Sequence, residues 1–292
     1  MRLVTIILFV FFWTVACQSP EDDQAAQTIT YEGLERKYLL YQPKGLAEGA
    51  PLVYVLHGYG DSAPGIRDFT QMDQIADQYQ FAVCYPEASM GPDSLRSWNV
   101  GYSNYERDDI GFFKTLHQKL LSKYGFSSEN VFCTGMSNGG DMTIQMALLA
   151  PGLFKAIAPD VGCLMNWLHD STQVDFIPPA LFINGTADSI TLYAGEEDYP
   201  AIGPNGYKGT REMIEIFTTK NQCRTLAIDT LPDINSADSS FVVLESYSNC
   251  KEDTQIQFYQ LVGGGHDWPG AFGNMDFVAS EVIWQFFAQY VD

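Results

Sequence analysis

The sequence predicts an α/β fold in which a mostly parallel central sheet carries helices on both faces. Short, almost continuously apolar runs recur along the chain, and segments with apolar residues at three-and-four spacing separate several of them. A short apolar run rich in β-branched residues is typical of a strand buried on both faces of a parallel sheet. Three-and-four spacing is typical of an amphipathic helix. Alternation of the two patterns indicates an α/β sheet with helical layers.

The predicted elements follow one another without a long linker or an internal repeat. Two extended pieces around a turn at Glu32-Gly33 are expected in residues 31–45. Buried strands are predicted at 51–58, 81–88, 130–135, 154–162, 179–185 and 255–265. Helices are predicted at 72–79, 109–125, 142–152 and 274–291. Residues 30–292 are therefore expected to form a single domain.

Composition fits a globular protein and argues against two classes of partner. The hydrophobic fraction is 46%, which is enough for a large core. The formal net charge is −20 at pH 7. Nucleic acid and anionic membrane surfaces repel such a protein, because both are polyanions. We therefore expect no nucleic-acid partner, and membrane contact only through an attached lipid.

The amino-terminal residues resemble an export signal. Residues 1–16 combine a positive start with an apolar run that ends in a small residue, as in a secretory signal peptide. The run is too short to span a membrane comfortably. The ending Thr14-Val15-Ala16-Cys17 resembles a bacterial lipobox, which would make Cys17 the lipidated first residue of the mature chain. Residues 17–29 would form a polar tether. The expected location is the cell envelope, through this lipid anchor, and plain secretion is the alternative.

Five further cysteines bear on the fold in an oxidising compartment, where disulfides persist. They are Cys84, Cys133, Cys163, Cys223 and Cys250. The odd number leaves at least one free thiol. Cys84 and Cys133 lie in strand-like apolar runs and are expected to be small buried hydrophobes. Cys223 and Cys250 bracket two strand-like pieces joined by a polar stretch. A hairpin there would bring both cysteines within reach of a disulfide. The sequence has no C-x-x-C pair and no histidine cluster, so no metal site is predicted.

The segment "FCTGMSNGGDM" at 132–142 is a candidate nucleophile motif. Its centre, Gly135-Met136-Ser137-Asn138-Gly139, fits G-x-S-x-G. A glycine-rich loop would produce the same pattern, so the motif decides little alone. Its position after a buried strand and before a helical segment is the context of a nucleophile elbow. The turn forces the serine into a strained conformation, and larger neighbours would clash with strand and helix. Ser137 is therefore the predicted nucleophile.

A serine nucleophile needs a general base. On this type of fold the chain order is serine, acid, histidine. His57 precedes the serine, His117 falls inside a predicted helix, and His169 lies between two strands. His266, in "LVGGGHDWPG", follows the last predicted strand on a glycine-rich loop. His266 is therefore the predicted base.

The acid and the oxyanion hole are predicted from residues that directly follow predicted strands. Asp188 lies just past the strand 179–185 and is the predicted acid. Asp160 is the alternative acid, and it could equally be a carboxylate that caps a loop. The oxyanion hole needs two backbone donors. These are predicted to be the amides of Asn138 and Tyr59, with His57 fixing the turn that carries Tyr59.

Six motifs, taken together, resemble those of a known family. "VLHGYGDS", "SWNVGY", "ERDDIGFF", "GMSNGGDM", "INGTAD" and "GGGHDWPG" occur in the order seen in the polyhydroxybutyrate depolymerase and feruloyl esterase family of secreted α/β-hydrolases. The resemblance covers about residues 30–292. It implies an eight-stranded α/β-hydrolase sheet, a Ser137–Asp188–His266 triad and hydrolysis of carboxylic esters. It also supports the Cys223–Cys250 disulfide.

The sequence departs from the family at two places, and both bear on the substrate. Family members often carry histidine where this chain has Asn184. The 189–209 segment is longer and more acidic than expected for a substrate-side loop.

Three aromatic residues are predicted near the site, namely Trp98, Tyr102 and Trp268. Trp98 follows the strand 81–88, at the end of the sheet where open α/β folds bind ligands. Trp268 is two residues from the predicted base. A pocket lined by these rings would suit an aromatic acyl group or a sugar ring. The alternative is that they cap the core.

The predicted function is that of a serine carboxylic-ester hydrolase acting through an acyl-enzyme without a cofactor. The expected substrates are hydroxycinnamoyl or acetyl esters of plant polysaccharide, or short hydroxyalkanoate esters. Two alternatives stay open. One is a peptidase on the same fold, and the other is a catalytically silent surface lipoprotein that binds glycan.

Overall fold

The computed structural model describes residues 25–101, 107–172, 176–197 and 206–292. The strands of the sheet are Gln27–Tyr31 (β1), Leu34–Tyr41 (β2), Leu52–Leu56 (β3), Ala82–Pro86 (β4), Val131–Met136 (β5), Ala156–Asp160 (β6), Ala180–Gly185 (β7), Thr225–Thr230 (β8), Phe241–Ser248 (β9) and Ile256–Val262 (β10). The α-helices are Ala63–Thr70 (α1), Met72–Tyr79 (α2), Asp109–Tyr124 (α3), Asn138–Leu149 (α4), Asn166–Ser171 (α5), Thr210–Lys220 (α6) and Ala279–Ala288 (α7).

The strands form one sheet with the order β1-β2-β4-β3-β5-β6-β7-β10-β9-β8. The six central strands, from β4 to β10, pair in parallel. Antiparallel pairs extend the sheet at both edges. The predicted α/β fold is thus confirmed. Within the described residues the sheet has ten strands rather than eight, because the β8–β9 hairpin adds two strands beyond β10 at one edge.

Two apolar layers hold the helices against the sheet. Helices α3 to α6 pack on one face, and α1, α2 and α7 pack on the other. Every residue of β3, β4 and β6 is buried, because helices cover both sides of these strands. This is why the central strands appear in the sequence as continuous rather than alternating apolar runs.

The helices differ from the predictions at several places. The short helix α5 was not predicted, and α7 begins at Ala279 rather than at residue 274. Helix α4 begins at Asn138 rather than at residue 142, so its first turn directly follows the candidate nucleophile. Helix α1 was not predicted, because "APGIRDFT" contains Pro and Gly. It begins where Ser62 Oγ accepts a hydrogen bond from Gly65 N at 3.2 Å, with proline in its first turn. Helix α6 was also missed, although its buried face shows helical spacing.

The cysteines have the predicted arrangement. Cys223 and Cys250 form a disulfide at the base of the β8–β9 hairpin, where their Cα atoms lie 3.9 Å apart. The three other cysteines in the described residues are buried free thiols, Cys84, Cys133 and Cys163. The hairpin prediction and the disulfide prediction are both confirmed.

Two sequence predictions, the export signal in residues 1–16 and lipidation at Cys17, lie outside the described residues. Among the residues that are described, no helix is both long and apolar enough to cross a bilayer.

Candidate active site

Ser137 occupies a strained turn between β5 and α4. Its backbone has φ 56° and ψ −123°, which a residue with a side chain rarely adopts. The Ser137 N–H donates to the Asp160 carbonyl at 2.9 Å, which ties the turn to the end of the neighbouring strand. The predicted strand–turn–helix context of the G-x-S-x-G motif is therefore present.

The glycines around Ser137 are required by close backbone contact. A Cβ atom at Gly135 would lie 2.5 Å from the Gly139 carbonyl oxygen. A Cβ atom at Gly139 would lie 2.3 Å from the Leu56 carbonyl oxygen. Real Cβ atoms essentially never come this close to other heavy atoms. Strand β5, helix α4 and the end of β3 thus meet in a space that only glycine fits.

Asp188 and His266 come together from two strand ends. Asp188 Oδ2 lies 2.7 Å from His266 Nδ1. The other carboxylate oxygen, Oδ1, accepts hydrogen bonds from the Ile190 and Thr191 amides at 2.7 and 2.9 Å. Because the carboxylate can only accept, Nδ1 of His266 carries the proton and Nε2 is left as the basic nitrogen. The Asp188 side chain is 1% exposed and that of His266 is 19% exposed, so the base reaches solvent and the acid does not.

The loop that carries His266 is fixed by its next residue. Asp267 is buried, and its Oδ2 accepts hydrogen bonds from the Gly265 and Asn274 amides, both at 3.1 Å. A Cβ atom at Gly273 would overlap the Asp267 carboxylate, at 1.9 Å from its carbon. The glycine-rich loop is therefore held by specific contacts. This role of Asp267 was not predicted from the sequence.

The two predicted oxyanion donors belong to segments next to Ser137. Asn138 is the first residue of α4, where backbone N–H groups have no acceptor within the helix and the helix dipole favours negative charge. In the segment after β3, a Cβ atom at Gly58 would lie 3.5 Å from Ser137 Cβ. Tyr59 follows Gly58, so its backbone belongs to the turn beside the nucleophile. Tyr59 is 44% exposed, and its phenol donates a hydrogen bond to Asp93.

His57 fixes the turn that carries Tyr59 through hydrogen bonds to backbone groups. It is fully buried, and its Nε2 accepts a hydrogen bond from the Ala88 amide at 3.0 Å. The proton is therefore on Nδ1, which donates to the Gly58 carbonyl at 2.7 Å. Burial lowers the pKa of His57 below its usual value of 6.5. A neutral imidazole with both nitrogens bonded to backbone matches the turn-fixing role expected from the sequence.

The Asn138 side chain also joins the elbow to the segment after β4. Its Oδ1 accepts hydrogen bonds from the Trp98 amide at 2.8 Å and from Ser97 Oγ at 3.2 Å. Its Nδ2 donates to the Trp98 carbonyl at 3.3 Å. Only the backbone of Asn138 was predicted to have a role, and this role of its side chain was not predicted from the sequence.

Trp98 and Trp268 do not line a pocket, as was predicted, but lie in the core. Trp98 is fully buried, and its indole donates to the His57 carbonyl at 3.0 Å. Trp268 is 1% exposed, and its indole donates to Ser280 Oγ at 3.3 Å. Both rings are core residues, which corrects the expectation that they face a substrate. Tyr102 lies outside the described residues.

Asp160, the alternative acid, lies at the end of β6 but is not bonded to a histidine. It is fully buried, and neither carboxylate oxygen has a hydrogen-bond partner among the described residues. Burial, together with the nearby charges of Asp267 and Asp188, raises the pKa of Asp160 well above its usual value. The structure thus brings His266 to Asp188 and leaves Asp160 as a buried, neutral carboxyl group beside them.

Comparison with known proteins relates the chain to an esterase family. Residues 36–177 match the family described as Esterase PHB depolymerase. The matched stretch makes the chain similar to that esterase family, and curated relatives extend the similarity over most of the chain. The resemblance expected from the six sequence motifs is thereby confirmed.

Three curated relatives illustrate its range. Feruloyl esterase B of Piromyces equi is 25% identical over 79% of this chain and 42% of its own length. Poly(3-hydroxyalkanoate) depolymerase C of Paucimonas lemoignei is 25% identical over 78% of this chain and 57% of its own. Acetylxylan esterase A of Aspergillus awamori is 28% identical over 61% of this chain and 58% of its own. The chain therefore spans about half the length of these relatives.

A solved structure supports the fold independently. The acetyl xylan esterase from Aspergillus awamori superimposes with a TM-score of 0.63 at 18% sequence identity, covering 90% of this chain and 99% of that one. At this identity the likeness concerns the fold, and the α/β-hydrolase architecture expected from the resemblance is confirmed.

Proposed function

We propose that this protein is a serine carboxylic-ester hydrolase that acts through an acyl-enzyme, with Ser137, His266 and Asp188 as its triad. The observation that carries the proposal is the 2.7 Å contact between His266 Nδ1 and Asp188 Oδ2, in a chain whose serine has a strained φ of 56° at the β5–α4 turn. A serine alone is a weak nucleophile, and an oriented imidazole beside it supplies the missing base. Similarity to an esterase family supports the same chemistry.

The reaction follows from the protonation state of His266. Its Nε2 removes the proton from Ser137 Oγ as that oxygen attacks the ester carbonyl carbon. The amides of Asn138 and Tyr59 stabilise the negative charge on the carbonyl oxygen. Protonated His266 then donates the proton to the leaving alkoxide, which departs as an alcohol. Water, deprotonated by His266, attacks the acyl-enzyme in the second half and releases the acid. The carboxylate of Asp188 stabilises the imidazolium in both halves, and no cofactor enters these steps.

The proposed substrates are hydroxycinnamoyl or acetyl esters of plant polysaccharide, or short hydroxyalkanoate esters. These are the classes named for the curated relatives: a feruloyl esterase, an acetylxylan esterase and a hydroxyalkanoate depolymerase. We further propose that residues 30–292 act as one catalytic domain. Export with a lipid anchor at Cys17 is proposed on the lipobox-like sequence.

Hydrolysis of p-nitrophenyl acetate tests the reaction type. The Ser137→Ala variant should keep the wild-type melting temperature and lose turnover by about 10⁶-fold, by comparison with other serine triads. A variant that retained a tenth of the wild-type rate would remove Ser137 from the mechanism. Cleavage of peptides without cleavage of esters would favour the peptidase alternative. Binding of glycan without hydrolysis of any ester would favour the silent lipoprotein. Methyl ferulate, acetylated xylan and hydroxybutyrate oligomers then separate the substrate classes.

A further inference from the structure

A cavity of about 290 Å³ lies beside the candidate active site and is not used by the proposed mechanism. It is formed by the start of β2, the segment after β4, Arg96 and Arg107. Strand β2 runs antiparallel to β4, so its first residues lie at the carboxyl end of β4. The cavity is therefore at the same edge of the sheet as Ser137.

The cavity is basic in an acidic protein. Four cationic side chains line it, Arg36, Lys37, Arg96 and Arg107, against two carboxylates, Glu35 and Glu87. The whole chain has only 16 lysines and arginines and a formal net charge of −20. A local excess of positive charge on such a background indicates a place where an anion is favoured.

Ion pairs among the described residues neutralise only two of these four cationic side chains, Arg96 and Arg36. Arg96 pairs with Glu87 at 3.1 Å, and Arg36 pairs with Asp109 at 2.7 Å. Lys37 and Arg107 form no ion pair within the described part of the chain. Among the described residues, the cavity thus keeps two cations outside any ion pair, Lys37 and Arg107, against one unpaired carboxylate, Glu35.

Arg36 is the fixed element of this cavity. It is 5% exposed, and its guanidinium lies 3.9 Å from the centre of the Phe112 ring. Its Nε is buried and has no hydrogen-bond partner among the described residues. A buried donor without an acceptor is costly to leave unsatisfied. The ring and the Asp109 carboxylate, together with the Glu87 carbonyl that accepts from Nη2 at 3.4 Å, hold this guanidinium in one orientation at the wall of the cavity.

The spacing along the sheet relates the cavity to the nucleophile. Strands β4 and β2 are two and three positions from β5. At about 4.8 Å per strand, the cavity lies roughly 10–14 Å from Ser137. The Arg96 carbonyl accepts a hydrogen bond from the Gly60 amide at 2.8 Å, next to the predicted oxyanion turn. A ligand that occupies both places must be extended, as a polysaccharide is.

We propose that this cavity binds a carboxylate group of an acidic polysaccharide, such as a uronate side group, while an ester on the same polymer is held at Ser137. This inference rests on the proposed esterase function and specifies its substrate. Lys37 and Arg107 donate hydrogen bonds to the carboxylate, and the fixed guanidinium of Arg36 adds positive charge to the wall behind it. The cavity thereby selects polymers that carry negative charge near the esterified sugar.

The test compares one acetylated xylan bearing glucuronate groups with the same polymer after its carboxyl groups have been reduced to alcohols. The wild type should hydrolyse the acidic polymer with the higher kcat/KM. The Lys37→Gln/Arg107→Gln double variant should lose about tenfold on the acidic polymer, since two partly exposed charge contacts are removed. It should be unchanged on the reduced polymer and on p-nitrophenyl acetate. The matched control is Lys44→Gln/Lys114→Gln, which removes the same charge from exposed positions outside the cavity and should behave as wild type.

Ionic strength and small competitors complete the test. Added salt should lower kcat/KM on the acidic polymer and leave the reduced polymer unaffected. Free glucuronate should inhibit hydrolysis of the acidic polymer in the wild type and not in the cavity variant. Equal kcat/KM for both polymers would overturn the proposal, and so would a cavity that binds inorganic phosphate but shows no preference for the acidic polymer. No hydrolysis of p-nitrophenyl acetate by the wild type would instead overturn the esterase function itself.

Discussion

Asp188→Asn is the substitution that most directly tests how the base is oriented. In the native protein Oδ1 accepts hydrogen bonds from the Ile190 and Thr191 amides at 2.7 and 2.9 Å, and Oδ2 faces His266 Nδ1 at 2.7 Å. An asparagine that keeps its oxygen on the two amides turns its NH₂ group toward His266. Two donors then face each other, and the imidazole relieves this by moving its proton from Nδ1 to Nε2.

The loss that follows is large because Nε2 is then no longer a base. Rotating the asparagine amide by 180° does not restore the native arrangement. Its NH₂ group would then face the Ile190 and Thr191 amides, which are also donors. An Asp→Asn change of this kind in a serine triad costs about 10⁴-fold in kcat, or about 5.5 kcal/mol of transition-state stabilisation. We expect a loss of that size for Asp188→Asn in kcat on p-nitrophenyl acetate, with little change in KM.

Asp160→Asn is the matched control, one strand away. Burial raises the pKa of Asp160, so the native state keeps the carboxyl group protonated while the unfolded state ionises above about 3.8. Protonated Asp160 therefore favours the native state at low pH. This contribution to the free energy of unfolding is lost as the pH rises from about 3.8 through the native pKa of Asp160. An asparagine does not titrate, so Asp160→Asn should keep most of the activity and unfold at a higher temperature than wild type at pH 7.

The pair of variants can refute the reasoning in two ways. An Asp188→Asn enzyme within tenfold of wild type would show that another group orients His266. An Asp160→Asn enzyme impaired as strongly as Asp188→Asn would show that Asp160 takes part in catalysis. Circular dichroism and thermal melting of both variants show whether a loss of activity reflects unfolding.

Three further changes have expected outcomes. Replacing both Cys223 and Cys250 with serine opens a loop with a sequence separation of 27. This should cost about 3.5 kcal/mol and lower the melting temperature by roughly 10 °C with kcat retained, and an unchanged melting temperature would contradict it. Gly139→Ala places a Cβ atom 2.3 Å from the Leu56 carbonyl oxygen, so we expect loss of soluble protein or at least a hundredfold fall in kcat. Near-normal activity would show that strand and helix can separate there. Because burial lowers the pKa of His57, the unfolded state binds a proton below about pH 6.5 that the native state does not. The free energy of unfolding, measured with denaturant, should therefore decrease as the pH drops below 6.5. The decrease that is due to His57 should be absent in the His57→Gln variant.

The buried strands could be predicted because a parallel sheet covered on both faces needs apolar residues at every position. The runs at 51–58 and 179–185 contain β3 and β7, which are buried along their whole length. Ser137 and His266 could be predicted for a related reason. Ser137 follows the buried strand β5 and His266 follows the partly buried strand β10. Both lie on glycine-containing segments, and the carboxyl ends of parallel strands meet at one edge.

The contacts that fix the site could not be predicted, because they join residues far apart in the chain. Arg36 and Asp109 are 73 positions apart, and Asn138 bonds to the Trp98 amide across 40. No local pattern marks such pairs. The direction of a side chain is equally hidden. Trp98 was expected in a cleft because of its place in the chain, yet its ring points into the core.

These distant contacts bear on how far the proposed oxyanion hole is formed before substrate binds. The Ala88 amide donates to His57, the Trp98 indole donates to the His57 carbonyl, and the Asn138 side chain bonds to both backbone groups of Trp98. The segments after β3 and β4 and the first turn of α4 are therefore joined in one hydrogen-bonded circuit. Backbone donors held by these contacts need not reorganise when negative charge develops on the substrate carbonyl oxygen. Hydrogen-bond donors that are already oriented stabilise a transition state most strongly. The entropic cost of ordering the three segments is incurred during folding, so it does not reduce the free energy available for catalysis.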